Sequence, residues 1–224
     1  MSKKTLTAIT YGSVIIFFVL LMVLIFAVAG NWAFMAGWLF MVAFCVPTLI
    51  ITAYFLKKDP KLIERRVMPT ETRPVQMIGQ SIAGMLFFAL IALSALDHRF
   101  GFSTVPMAVS ALADILIMLG FYIVFRVFEV NSFASRAIET MKEQKVITEG
   151  PYSVIRHPMY AGAAMIILSI PIALGSWVTE LIVLPLIAVI VFRILDEEKM
   201  LRAELPGYEA YCKKTKFRFI PHVW

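Results

Sequence analysis

The sequence predicts an all-α, polytopic membrane helix bundle: four clear spans plus a C-terminal helical hairpin, five to six transmembrane helices in total, N-in and C-in. Three observations predict it. Hydrophobic residues make up 60% of the 224-residue chain, whereas a soluble domain is close to half apolar. The apolar residues fall in runs of about 20, the length that crosses a hydrocarbon core as a helix. The basic residues, which give a net charge of +6, gather in alternate loops, the pattern of cytoplasmic loops.

Each element follows from the run that forms it. Tyr11 to Ala29 is a first span, ended by the tight break Gly30-Asn31. Trp32 to Leu56 is a second, with Pro47 as a kink that a membrane helix tolerates. The segment Lys57 to Pro74 is polar and basic. Met77 to Leu96 is a third span and Met107 to Phe128 a fourth, joined by the loop Asp97 to Pro106. Glu129 to His157 is polar. Met159 to Leu174 and Trp177 to Leu195 form the hairpin, split by Gly175-Ser176, and Asp196 to Trp224 is a charged tail. The first arm of the hairpin is short and carries Pro171, so it either crosses or enters only partway. With the N-terminus in the cytoplasm, the cytoplasmic segments hold Lys3, Lys4, the Lys57–Arg73 cluster, the Arg136–Arg156 segment and the basic tail, leaving Arg99 on the far side. The expected organisation is one integral membrane domain, 1–224. Within it, 1–128 supplies the N-terminal helices and 129–224 the cofactor-binding catalytic region.

Composition also excludes classes. The basic residues lie between apolar runs, so anionic headgroups are the simpler partner than nucleic acid. Cys45 and Cys212 have no CxxC or histidine spacing, so no metal site is expected. The first apolar run is too long for a cleavable signal peptide. A transporter would carry ionisable residues in several spans. Only Asp114 does so here, and a structural hydrogen bond is the expectation for it.

The concentrated polar chemistry lies in three segments, Lys57–Arg73, Glu149–Gly162 and Arg193–Arg202. In EGPYSVIRHPMYAG, Gly150-Pro151 fixes a turn and Pro158 favours the first turn of a helix. The free N–H groups of that helix start suit a polar or anionic ligand group. Gly162 and its small neighbours allow another helix or a flat ligand to approach. Tyr152, Arg156, His157 and Tyr160 are equally compatible with an interfacial belt of aromatic and basic residues. In VFRILDEEKMLRAEL, Arg193 and Glu197 stand at i, i+4 and Glu198 follows. That pattern fits ordinary charge pairing on an emerging helix, or a grip for ribose hydroxyls or an ammonium-like group. The tail carries a Pro206-Gly207 turn, then Tyr208 and Tyr211 on one side of a short helix.

From Glu149 onward the chain resembles the isoprenylcysteine carboxyl methyltransferase family and its bacterial relatives. The pieces are GPYSVIRHPMYAG, a helical hairpin, RILDEEKML, PGYEAY and FRFIP, in that order. NSFAS (Asn131 to Ser135) and LDHRFGFSTVP are similar to segments of bacterial members. The resemblance implies a membrane methyltransferase that uses S-adenosylmethionine. Its pocket would be lined by Tyr152, Arg156, His157, Pro158, Tyr160 and Gly162. Glu197 and Glu198 would hold the polar end of the cofactor, with Tyr211 close by. Arg193 matches a basic position implicated in the reaction, and Glu198 is the candidate base for an amine or thiol acceptor. A carboxylate acceptor would need no base, and Arg193 could orient it. The implied setting is the cytoplasmic face of the inner (plasma) membrane, with membrane lipids and a lipophilic methyl acceptor as partners.

The alternative is an NADPH-dependent membrane reductase of the sterol reductase type, which carries a similar Arg-His-Pro-x-Tyr segment. Those enzymes read Arg-His-Pro-Asn-Tyr; Met159 stands here instead, and the Glu197-Glu198 pair favours methyl transfer. A binder of a 2′-phosphate is also expected to show extra basic residues beside its pocket.

Overall fold

The computed structural model describes the chain except residues 69, 70, 72, 136, 139 and 141–143. Arg136, and the three such residues within the Lys57–Arg73 cluster, therefore lie outside the described residues. Among those described, the chain is helical with no strand. The elements are α1 (Lys3–Ala29), α2 (Met35–Lys58), α3 (Pro60–Val67), α4 (Pro74–Phe100) and α5 (Met107–Val130), then a 3-10 turn (Gly150–Ser153), α6 (Pro158–Ala173), α7 (Glu180–Glu204) and α8 (Tyr208–Lys214).

Helices α1, α2, α4 and α5 are long and apolar enough to cross a membrane. Gly30 and Gly101 end α1 and α4 in the left-handed conformation, at φ 64° and 67°, where glycine bears no steric penalty. Helices α1 and α4 begin before the apolar runs expected of them, at Lys3 and Pro74, whereas α2 begins after its run does, at Met35. Helix α6 has 16 residues. At about 1.5 Å per residue it reaches about 24 Å, short of the ~30 Å hydrocarbon core. Helix α7 has 25 residues and passes without a break from an apolar half into its charged half, so Arg193, Glu197 and Glu198 ride one rigid rod.

Helix α3 has no counterpart in the expectation, which left this segment as polar loop. Asp59 accepts from the Leu62 amide at 3.1 Å, and Pro60 occupies the first helical turn. Leu62 and Ile63 are buried, Lys61 is exposed, and Arg66 turns toward the bundle, over the Phe128 ring.

The most extensive interface is between α5 and α6, with α2 also on α5, α4 on α1, and α7 against α6 and α4. Gly120 and Gly162 set the α5–α6 approach. A Cβ on Gly120 would stand 2.7 Å from the Gly162 carbonyl oxygen, and one on Gly162 would stand 2.8 Å from that of Gly120. Only glycine at both positions permits this distance. The core between the helices is filled by Phe26, Phe40, Leu90, Ile91, Ile117 and Ile170.

At the end of the bundle away from the tail, Asp97 is 2% exposed and ties the α4–α5 loop to the α6–α7 turn. It accepts from the Ser103 amide at 2.7 Å and from the hydroxyls of Ser103 and Ser176. The hydrogen bond expected of Asp114 is absent. That side chain is 6% exposed, and neither oxygen has a hydrogen-bond partner among the described residues. The hydroxyl one turn away, on Ser110, donates instead to the Ile172 carbonyl at 2.9 Å.

Candidate active site

The segment Glu149–Gly162 is built by local constraints and then locked by the tail. Gly150 takes φ 57° and Pro151 fixes the next φ, which closes the 3-10 turn that presents Tyr152. Pro158 opens α6 at its first turn. Between turn and helix the tail pairs with the backbone: the Arg156 and His157 amides donate to the Phe217 and Arg218 carbonyls at 2.9 and 2.8 Å. The Tyr211 hydroxyl donates to the Tyr152 carbonyl at 2.7 Å, and Asn131 Nδ2 donates to the Tyr152 hydroxyl at 2.7 Å. Residues far apart in sequence thus become one wall.

Glu198 is the electrostatic centre of that wall and is 3% exposed. Arg218 Nε donates to its Oε2 at 2.9 Å. Arg156 Nε lies 2.9 Å and His157 Nε2 3.4 Å from Oε1, as close contacts without hydrogen-bond alignment. Arg202 stands 3.9 Å from Oε2. Burial alone would raise this carboxyl. The contacts from His157, Arg218 and Arg156 override that and hold it down at about 2. Burial raises the phenols of Tyr152, Tyr208 and Tyr211 above their ordinary value, so these groups remain protonated donors.

A second network runs along the other side. The Tyr160 hydroxyl donates to Glu197 Oε2 at 2.9 Å, and Arg193 Nε donates to that hydroxyl at 3.4 Å. Arg193 Nη1 donates to Gln76 Oε1 at 3.0 Å.

Between the two networks lies a cavity of about 430 Å³, within the range of small-ligand sites. One end is polar, with Tyr152, Arg156, His157, Tyr160, Arg193, Glu197 and Tyr211. The other end is apolar, with Ala83, Gly84 and Phe87 of α4, Ile167 of α6 and Leu186 of α7. Three residues expected to line a cofactor do not line this cavity: Pro158, Gly162 and Glu198. Pro158 starts the helix. Gly162 faces α5, where its missing side chain lets Gly120 approach. Glu198 lies behind the wall, its oxygens directed at the cations that frame it. Among the described residues, no group of three or more metal-ligating side chains is assembled.

Sequence reasoning missed Arg218, Gln76, Asp196 and Asn131 as parts of this site. Arg218 was visible as a cation set between aromatics in FRFIP. Gln76 was visible as an amide at the very start of an apolar run.

Residues 108–205 match the model of the phospholipid methyltransferase family. The solved structure of the eukaryotic intramembrane Ras methyltransferase ICMT (isoprenylcysteine carboxyl methyltransferase) superposes with a TM-score of 0.54 at 17% identity, covering 99% of this chain and 97% of that one. At this identity the likeness establishes the fold. The Delta(14)-sterol reductase TM7SF2 of Mus musculus is 30% identical over 90 residues, which are 39% of this chain and 22% of the reductase. The class defined by fold and composition is thus a polytopic helical membrane protein with the ICMT fold. Residues 108–205, less than half of the chain, carry the likeness to the phospholipid methyltransferase family.

Proposed function

We propose that the chain transfers a methyl group from S-adenosylmethionine to the carboxylate of a lipid-tailed acceptor, such as an S-prenylated cysteine, at the cytoplasmic face of the inner membrane. The observation that carries this reading is a single cavity lined both by polar side chains, Arg193 among them, and by apolar residues of α4, α6 and α7.

The residues present fit the cofactor. Arg156 offers a cation to its carboxylate, Glu197 offers acceptor oxygens to its hydroxyl or ammonium groups, and the tyrosines offer aromatic faces to its ring or sulfonium. When bound, S-adenosylmethionine supplies an electrophilic methyl group. The work left to the protein is alignment: Arg193 holds the acceptor carboxylate, and the apolar end takes its tail and excludes water. The choice of carboxylate over amine rests on two features. Arg193 presents a cation to the cavity. Glu198, the residue expected to act as base, is held at about 2 and committed to its own cations, which makes it a poor proton acceptor.

A second reading rests on the 90-residue likeness to the sterol reductase. Arg66 and Lys145, which also line the cavity, could meet a 2′-phosphate. Calorimetric titration of the detergent-purified chain with S-adenosylhomocysteine, and with NADPH in parallel, separates the two. Binding of the first alone is the expected result. Binding of NADPH alone would make this a reductase.

A further inference from the structure

Gln76, in the first turn of α4, is 0% exposed. An amide in an apolar interior is costly unless both its ends are bonded. Here both are. Oε1 accepts from Arg193 Nη1 at 3.0 Å, Nε2 donates to Asp196 Oδ2, and Asp196 Oδ1 pairs with Arg73 Nη2 at 2.8 Å. The charges dictate this orientation of the amide. Reversing it would set an NH2 against a guanidinium and a carbonyl against a carboxylate.

We propose that Gln76 is the positioning residue for Arg193: a neutral carbonyl holds the guanidinium at the cavity wall, and Asp196 with Arg73 anchors the amide from behind. The neutrality of the brace matters. A carboxylate at position 76 would hold Arg193 as firmly, but it would neutralise the cation and stand against Asp196. An apolar residue would remove one hydrogen bond from Arg193 and one from Asp196, both only half-buried. Gln76 also gives Asp196, three residues along α7 from Arg193, a neutral partner. From Arg193 the chain of hydrogen bonds passes through Tyr160 to Glu197, so α4 sets the geometry of both α6 and α7 at the polar end. The catalytic consequence rests on the methyltransferase reading; the brace does not.

The test reads Arg193 directly. Full-length chain in detergent is treated with phenylglyoxal, and adducts at each arginine are followed by peptide mass spectrometry in the wild type, Gln76→Leu, Gln76→Asn and Gln76→Glu. Loss of one charged-group hydrogen bond predicts about a tenfold faster reaction at Arg193 in Gln76→Leu. Gln76→Asn, which keeps the polarity but is one methylene short, shows the same rise should the leucine variant fail to fold. Arg156 is unchanged in both, and Gln76→Glu restores slow modification. No change at Arg193, or an equal rise at Arg156, would overturn the proposal by making Gln76 an ordinary packing residue. Titration of the same samples with S-adenosylhomocysteine keeps the two questions apart: a wild type that does not bind it removes the methyltransferase reading and leaves the arginine result standing. If the wild type methylates N-acetyl-S-farnesylcysteine, Gln76→Glu raises KM for it about tenfold with no matching loss of S-adenosylhomocysteine affinity. An unchanged KM would overturn the argument from neutrality.

Discussion

A single carboxylate ties together the segments that wall the cavity. Glu198 receives Arg156, His157 and Arg218 from segments about 40 and 20 residues away in sequence, and removing one side of such a buried cluster costs about 3–5 kcal/mol. Glu198→Gln keeps the shape and deletes the charge, leaving Arg156 and Arg218 without their partner. The expected result is a lower unfolding midpoint in detergent and loss of S-adenosylhomocysteine binding; a wild-type midpoint would mean that other contacts hold the tail in place. The pH dependence has a definite sign. The folded carboxyl is depressed from 4.5 to about 2, so its contribution is complete above about 4.5 and disappears as pH falls toward about 2. Wild-type and Glu198→Gln unfolding curves should therefore differ at neutral pH and converge in acid.

Among the elements, α6 is the most constrained. It is too short to be secured by the bilayer alone, so its position comes from α5, through the Gly120–Gly162 contact, and from the Asp97 cluster beyond its far end. Gly162→Ala would press a methyl group against a carbonyl oxygen and cost about 1–3 kcal/mol. Because α6 carries His157 and Tyr160 at its start, the same substitution should weaken S-adenosylhomocysteine binding. Gly12→Ala in α1, where a Cβ meets no atom within 4 Å, is the control. Equal midpoints for the two variants would show that α5 and α6 can part without strain.

The whole molecule places its polar end beneath the tail and its Asp97 cluster at the opposite end, and the basic loops predict which end meets the cytoplasm. Lys61→Cys in α3 and Phe102→Cys in the α4–α5 loop test this, since both positions are exposed. In intact cells an impermeant thiol reagent should label Phe102→Cys and spare Lys61→Cys until the membrane is opened. The reverse pattern would invert the protein and move the cavity mouth to the outside.

How much of this was legible in the chain depends on the range of the interaction. Apolar runs, turn glycines and prolines, and basic loops act within a few residues, and they located the four spans, the hairpin and the short tail helix. Helix α3 escaped because its eight residues carry too little apolar periodicity, although Asp59-Pro60 announced its start. The motif pieces in Glu149–Gly162, Arg193–Glu198 and Tyr211 named part of the polar lining of the cavity, since each piece is local; the lining from α4 and from the segment before Glu149 was not named. The sequence could not say that Gly162 serves a helix contact, that Glu198 faces its cations and not the cavity, or that Gln76 reaches Arg193 across more than a hundred residues. By itself it determined an all-helical membrane fold and several of the segments that line the cavity. Only the tertiary structure decided which side chains face the cavity and which support them, because that depends on how helices distant in sequence are rotated and packed against one another.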